Sequence, residues 1–231
     1  MKRHIIAILL AVSLGSAATG CSFSFGTGAE TAPSATATSS TPAPTAKDAK
    51  SADDKPVLQS AAKPAAGHSR SVNEEVPIPD DWIYIYDDKK GYGFSLPAGS
   101  EGENLTIDGV DVFSATTPRP SEVDIFVLAY KDQTRSKVEL LDDAVTFLEE
   151  LGQDVTPGEL TAQSDQFAVA NATTIHPSRG KGRLRILVGT DITDNYVMII
   201  GVEDERFAAN EKIIDMIWGS FEIWSGGGVS G

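Results

Sequence analysis

Apolar and polar residues alternate in two stretches near residue 90. Residues 82–86 read Trp-Ile-Tyr-Ile-Tyr, and residues 92–96 place Tyr, Phe and Leu on one face with Gly and Ser on the other. A repeat of two residues is typical of a β-strand with one buried face. The polar residues 87–91 between the stretches predict a turn, so the folded part of the chain is expected to open with two adjacent strands.

Apolar segments continue at intervals toward the C-terminus. The further strands that they predict cover 105–107, 110–115, 123–130, 160–164, 166–175, 183–189 and 196–202. Asp108 and Gly109 separate the first two of these segments, and this dipeptide is a strong signal for a hairpin turn. Residues 123–130 and 196–202 are apolar at nearly every position, which predicts strands that are buried on both faces.

Two segments have helical spacing instead. Ser136 and Glu139 have the spacing of a capping box, in which each side chain bonds to the other residue's backbone amide. Apolar residues then repeat every three or four positions up to Leu151, and Gly152 follows as a C-terminal cap. Residues 207–221 predict a second helix, whose core face carries Ile213, Ile214, Ile217, Trp218 and Phe221.

The order and lengths of these elements predict an α+β fold. Short connections favour antiparallel pairing, so the sheet is expected to be mostly antiparallel. Strands that are apolar on both faces need cover on both faces, and two amphipathic helices can supply it. We therefore expect an α/β/α sandwich, with one helix on each face of the sheet.

The first 20 residues have the organisation of a signal peptide. A basic start, Lys2-Arg3, precedes an apolar run at 5–14 and then small residues. Residues 18–21 read Ala-Thr-Gly-Cys, which resembles the lipobox of bacterial lipoproteins. The resemblance implies cleavage before Cys21 and attachment of lipid to its sulfur. Cys21 is the only cysteine of the chain, so it has no disulfide partner. The alternative is an ordinary signal peptide that happens to be followed by a cysteine.

Low-complexity sequence follows the cysteine. Of the 18 residues at 29–46, 17 are Ala, Thr, Pro or Ser. Such a segment buries too little apolar surface to offset the entropy of ordering it. We therefore predict a disordered tether over 21–76, a globular domain over 77–224, and a flexible Gly/Ser tail over 225–231.

The predicted domain is strongly acidic. Residues 77–225 hold 27 acidic and 12 basic residues, a net charge of −15, and the whole chain has −14. A surface of this charge repels nucleic acid and anionic lipid headgroups. Nucleic acid is therefore not expected as a partner.

Four segments together resemble the PsbP/Mog1/DcrB-like fold, and within it the LpqN-type bacterial lipoproteins. They are Gly-Tyr-Gly-Phe-Ser-Leu-Pro at 91–97, Gly-Val-Asp-Val-Phe at 109–113, the apolar strand at 123–130, and the closing helix ending in Ser-Phe at 213–221. The resemblance implies an antiparallel sheet flanked by helices. It also implies an accessory or binding role without a shared catalytic centre.

Residues able to carry catalysis or hold a metal are sparse. His176 is the only histidine of the predicted domain, and Ser178 beside it lacks the sequence context of a nucleophile elbow. Asp191, Asp194 and the acidic run at 203–205 could gather around calcium, but their spacing is not that of an EF-hand. We expect no catalytic residue, no metal and no cofactor.

One segment of the predicted domain is positively charged, although the domain as a whole is acidic. Arg179, Lys181, Arg183 and Arg185 are 4 of the 12 basic residues of the domain. Arg183 and Arg185 lie two positions apart in a predicted strand and therefore share a face. They could bind an anionic group or an acidic partner. Alternatively, each arginine pairs with nearby Asp or Glu residues on the sheet.

These observations favour an exported, non-enzymatic lipoprotein whose acidic domain binds another component of the cell envelope, either a protein or a polymer. Its lipid would hold it on the outer face of the cell membrane, or in the outer membrane of a cell with two membranes. A carrier of a small apolar ligand in a cleft between sheet and helix is one alternative. An envelope hydrolase with an unrecognised site is the other.

Overall fold

A computed structural model of the chain describes residues 57–61, 69–73, 75–107 and 109–224. The predicted signal peptide, Cys21 and the predicted tail lie outside the described residues. The two helices are α1 (Lys137–Glu150) and α2 (Asp204–Gly219). The strands are β1 (Ser69–Ser71), β2 (Ile83–Asp87), β3 (Tyr92–Leu96), β4 (Glu101–Ile107), β5 (Val110–Thr116), β6 (Asp124–Tyr130), β7 (Asp154–Pro157), β8 (Thr161–Ala162), β9 (Phe167–His176), β10 (Gly180–Asp191), β11 (Asp194–Glu203) and β12 (Glu222–Trp224).

The strands form two sheets, and every pair is antiparallel. The larger sheet has the order β4-β5-β6-β11-β10-β9-β7, with β8 also paired to β9. The smaller sheet has the order β1-β12-β3-β2. The predicted α+β class with mostly antiparallel pairing is therefore confirmed. The pattern predicts one sheet, whereas the structure has two, with the opening strands β2 and β3 in the smaller one.

Each helix packs on its own face of the larger sheet. Strand β11 shows why, because its residues alternate between two cores. Val197 and Ile199 face α1, whereas Met198 and Ile200 face α2. On the α2 side the smaller sheet adds a second cover, which rests on β5 and β6 through contacts such as Phe94 with Phe113.

Helix α1 begins and ends where the sequence predicts. Ser136 accepts a hydrogen bond from the Glu139 amide, and the Glu139 carboxylate accepts one from the Ser136 amide. Gly152 follows the C-cap residue with a φ of +81°, a conformation that glycine adopts without strain. The end of α2 differs from the prediction, because the helix stops at Gly219 and Phe221 enters the core from the chain beyond it.

Ordered structure starts before residue 77. Val57 forms a β-bridge with Glu101, and the Ala61 amide donates to the Tyr84 carbonyl at 2.7 Å. Strand β1 pairs with β12 on the other edge of the smaller sheet. Parts of the predicted tether therefore bind along both edges of that sheet. They are held by backbone hydrogen bonds, which the composition of the segment does not reveal.

Candidate functional site

Helix α1 covers only part of its face of the larger sheet. Its backbone lies over β7, β9, β10 and β11, and its side chains reach β6, where Phe147 packs on Phe126. Among the described residues, no helix lies over β4 and the adjoining end of β5 on that face. Four apolar side chains on β4, β5 and β6 are consequently only half-buried: Leu105, Ile107, Val110 and Phe126. The opposite face of the same strands is closed by the smaller sheet.

A groove runs along the boundary between α1 and the uncovered strands. Its floor is apolar and comes from Ile107, Val110, Leu128 and Tyr130. These residues share a face because they lie in register across the sheet, with Ile107 opposite Val110. Its wall is one side of α1, formed by Asp143, Thr146, Phe147 and Glu150. The groove has a volume of about 170 Å³.

The groove continues past the first turn of α1 into a wider, open hollow of about 620 Å³. The hollow is polar, and it is lined by Gln133, Thr134, Arg135, Glu139, Asp142 and Asp143. Arg135 and Asp143 line both spaces, so the two spaces adjoin beside the helix at this ion pair. We call the floor, the helix wall and the adjoining polar hollow together the α1 groove.

The helix wall of the α1 groove is acidic. Glu139, Asp142, Asp143 and Glu150 recur at the spacing that puts side chains on one side of a helix. Hydrogen bonds from the Ser136 backbone and then its side chain lower the pKa of Glu139 and keep it ionised. Four carboxylates therefore stand against one guanidinium, that of Arg135, along the wall.

Arg135 links the wall to the floor. Its guanidinium contacts the Asp143 carboxylate and lies 4.6 Å from the centroid of the Tyr130 ring. Burial raises the pKa of Tyr130 to about 12, with a further rise from Asp143 and an opposing effect from Arg135. The phenol is therefore neutral at physiological pH.

The acidic stripe of α1 can be read from the sequence, because its residues follow helical spacing. Its position beside an apolar floor cannot. That arrangement requires knowing that β4, β5 and β6 form one end of the sheet, and hydrophobic patterning gives no order of strands.

In the structure, the arginines of the predicted basic site form separate ion pairs with different carboxylates. Arg179 lies 3.5 Å from Asp124, and Arg183 contacts Asp204. Arg185 contacts Asp215 and lies over the Trp218 ring, 5.6 Å from its centroid. Lys181 is exposed in the same strand.

Arg183 and Arg185, the two arginines of β10, differ in how far they are buried. The Arg185 side chain is 13% exposed and that of Arg183 is 52% exposed. Burial also lowers the pKa of Arg185, an effect that Glu211 opposes. The two side chains share a face, as their spacing predicts, and this face is the one that packs against α2. Three of the four basic residues thus contact carboxylates, and binding of an external anion at this site stays a prediction.

His176 lies at an exposed turn with Ser178. Its Nδ1 accepts a hydrogen bond from the Ser178 amide at 3.2 Å, and the Ser178 Oγ lies 3.0 Å away. Both contacts close the turn locally, and neither involves a carboxylate. This geometry lacks the acid that would orient a catalytic histidine.

The acidic residues that could bind calcium form two groups at opposite ends of β11, with Asp191 and Asp194 at one end and residues 203–205 at the other. Asp194 begins β11 and Glu203 ends it, and ten extended residues span roughly 30 Å. Asp194 contacts Lys131 and accepts from the Asp132 amide at 3.2 Å. Throughout the described ranges, no group of three or more His, Cys, Asp or Glu residues could hold a metal ion.

Neither of the two described helices is long and apolar enough to cross a membrane.

Comparison with known proteins bears on the fold. No family model and no curated protein matches the sequence. Among solved structures, the chain is similar to the solution structure of cyanobacterial PsbP (CyanoP) from Synechocystis sp. PCC 6803, with a TM-score of 0.50 and 14% identity. The match covers 65% of this chain and 96% of that one. The domain therefore has a PsbP-like fold.

Proposed function

We propose that the protein is a non-enzymatic lipoprotein of the cell envelope, whose folded domain binds another envelope protein through the α1 groove. The observation that carries this proposal is the uncovered apolar end of the larger sheet. Leu105, Ile107, Val110 and Phe126 are half-buried beside a helix wall whose side chains are charged. An apolar floor with a polar rim is the usual composition of a protein-binding surface.

Lipid on Cys21 would place this domain at a membrane surface. Each buried methylene of an acyl chain contributes about 0.8 kcal/mol, and two or more chains give stable anchoring. The anchor would hold the protein on the outer face of the cell membrane, or in the outer membrane where there are two. The low-complexity sequence after Cys21 would then hold the folded domain at a distance from the membrane.

The anchor is tested by Cys21→Ser. We expect the wild-type protein in the membrane fraction and the Cys21→Ser protein in the soluble or secreted fraction. A Ser22→Ala variant serves as the matched control, because it changes the neighbouring residue and leaves the thiol in place. Retention of Cys21→Ser protein in the membrane fraction would refute the anchor.

The binding surface is tested by photo-crosslinking in intact cells. A benzoylphenylalanine at Thr146, on the exposed wall of the groove, should form an adduct with a single envelope protein. The same residue at Lys212, exposed on α2, is the control and should not form that adduct. Absence of a protein adduct from Thr146, or equal adducts from both positions, would contradict binding through the groove.

The two other functions receive less support from the geometry. A carrier needs a pocket of about 300–1,000 Å³ with mostly apolar lining, whereas the apolar part of the groove has about 170 Å³. A hydrolase would use a carboxyl group of raised pKa as a general acid. The pKa values of Glu122 and Glu139 are instead lowered, mainly by hydrogen bonds from Arg119 to the former and from Ser136 to the latter.

A further inference from the structure

The shape of the uncovered sheet end indicates what would fill it. The strip formed by β4, β5 and the part of β6 beyond Phe147 is about 10–14 Å wide at a strand spacing of about 4.8 Å. A helix with its side chains is about 10–12 Å across, and packed helices lie about 8–10 Å apart. One helix placed beside α1 would therefore complete the layer on this face.

The apolar floor sets one requirement for that helix. Ile107, Val110 and Phe126 are half-buried, and Phe126 already packs edge-on against Phe147 of α1 at 5.5 Å between ring centroids. A helix that buries these side chains must present an apolar stripe along its length. Because α1 has 14 residues, or about 21 Å of helix, the stripe would run for roughly four turns.

The two sides of the floor set a second requirement. On one side stand the carboxylates of the α1 wall, with Glu139, Asp142 and Glu150 all exposed. On the other side, Glu101 and Glu103 lie on β4 and share a face with Leu105, because strand residues two apart point the same way. Both flanks are thus acidic, and Arg135 is the one basic residue among the described lining of the groove.

We propose that the α1 groove binds an amphipathic helix of a partner protein that carries Lys or Arg on both sides of its apolar stripe. The inference rests on the proposed function and specifies the partner. Long basic side chains suit this position, because their stems cover apolar surface while their charges reach the carboxylates at the rim. A second copy of this chain fits poorly, because its own domain is acidic and its α1 carries the same carboxylates.

Two designed peptides provide the probe. One is an 18-residue amphipathic helix of Leu and Lys, and the other has the same Leu stripe with Glu in place of Lys. Each peptide is labelled and titrated into the full chain carrying Cys21→Ser at about 0.15 M salt, where distant charges are screened. We expect saturable binding of the Lys peptide and at least tenfold weaker binding of the Glu peptide.

Matched variants locate the binding site. Asp142→Lys with Glu150→Lys should weaken the Lys peptide at least tenfold. Asp80→Lys with Asp81→Lys makes the same change of net charge at exposed residues before β2, and should weaken it less than threefold. Val110→Gln should also weaken binding, whereas Ile175→Gln, at an exposed apolar residue of β9, should not.

The outcomes separate this inference from the proposed function. The inference would be overturned if the two double charge substitutions weakened binding of the Lys peptide equally, or if both peptides bound equally well. A Thr146 adduct that maps to an acidic or non-helical segment of the partner would also overturn it, although the proposed function would then stand. An adduct on a helix with basic flanks would support both. If Thr146 gives no protein adduct, the proposed function falls and the inference with it.

Discussion

The guanidinium of Arg135 lies over the Tyr130 ring, 4.6 Å from its centroid. This contact places a cation on the apolar floor of the α1 groove, where the rest of the wall is acidic. Cation–π contacts contribute about 0.5–1 kcal/mol at exposed sites. Arg135 also contacts Asp143, so it fixes the loop before α1 to both the helix and the sheet.

Arg135→Ala should lower the free energy of unfolding by about 1 kcal/mol, as expected for loss of one cation–π contact and one surface ion pair. It should also raise the pKa of Tyr130, because Arg135 is the group that lowers it. Urea unfolding measures the change in stability, and the nuclear magnetic resonance signal of the Tyr130 ring, followed as the pH rises, measures the change in its pKa. Arg119→Ala, at a 77% exposed side chain, is the control. An unchanged Tyr130 titration in Arg135→Ala would contradict the assigned contact.

The two strand arginines should differ in their contribution to stability. Arg185→Ala removes a side chain packed on Trp218 and bound to Asp215, and should cost about 1–2 kcal/mol. Arg183→Ala affects a half-exposed pair with Asp204 and should cost less than about 1 kcal/mol. Thermal or urea unfolding tests the difference. Equal, negligible losses would contradict the larger structural contribution assigned to Arg185.

The backbone is strained at the tip of the β10–β11 hairpin, and a different residue type there would relieve the strain. Ile192 has a φ of +44° and is 87% exposed. The left-handed conformation costs a β-branched residue about 1–2 kcal/mol, whereas Asn tolerates it. Ile192→Asn should therefore stabilise the domain by about 1 kcal/mol in urea unfolding. Ile175→Asn, at an exposed position within β9, has no such strain to relieve, and a gain there would contradict the explanation.

The tyrosines predict how stability changes at high pH. All five have raised pKa values, with burial as the largest cause in each, and that of Tyr130 is raised to about 12. In the unfolded chain they ionise near their ordinary value of 10.0. The folded state binds these protons more tightly, so stability is complete below pH 10 and falls as pH rises above it. For Tyr130 the loss approaches about 1.4 kcal/mol per pH unit between pH 10 and 12.

Absorbance at 295 nm and circular dichroism should therefore change together during an alkaline titration, because most tyrosines ionise only as the domain unfolds. In 8 M urea the same absorbance change should be centred near pH 10. Complete tyrosine ionisation near pH 10 with the far-ultraviolet dichroism unchanged would be the opposite result.

Most elements could be located from the sequence because their signals are local. The capping box at Ser136 and the hairpin at Gly109 depend only on neighbouring residues, and both are found in the structure. Strands β1, β7 and β12 were not predicted. They have two to four residues in register with a partner and little apolar alternation of their own, so long-range pairing defines them.

The predicted strands at 183–189 and 196–202 leave residues 190–195 between them as a turn, whereas the observed strand pairing continues to Asp191 and Asp194. Polar side chains at these positions indicated a loop, but both carboxylates are buried at the end of the hairpin. The alternative of ion pairing is found for three residues of the basic segment. The sequence does not identify the partners, because Asp204 and Asp215 reach β10 only after α2 packs on it.

The hydrogen bonds of residues 57–61 have a mechanical consequence. A load applied to the chain before Val57 would first meet the bridge to Glu101 and the bond from the Leu58 amide to the Ser100 carbonyl, and then the bond at Tyr84. Of these residues, Leu58 packs against the border of the core on the α2 side. Rupture of these contacts would lengthen the connection by up to about 17 Å and would leave every strand pair of the two sheets intact. Under tension, the domain would therefore lose these peripheral contacts before any strand pair of the two sheets breaks.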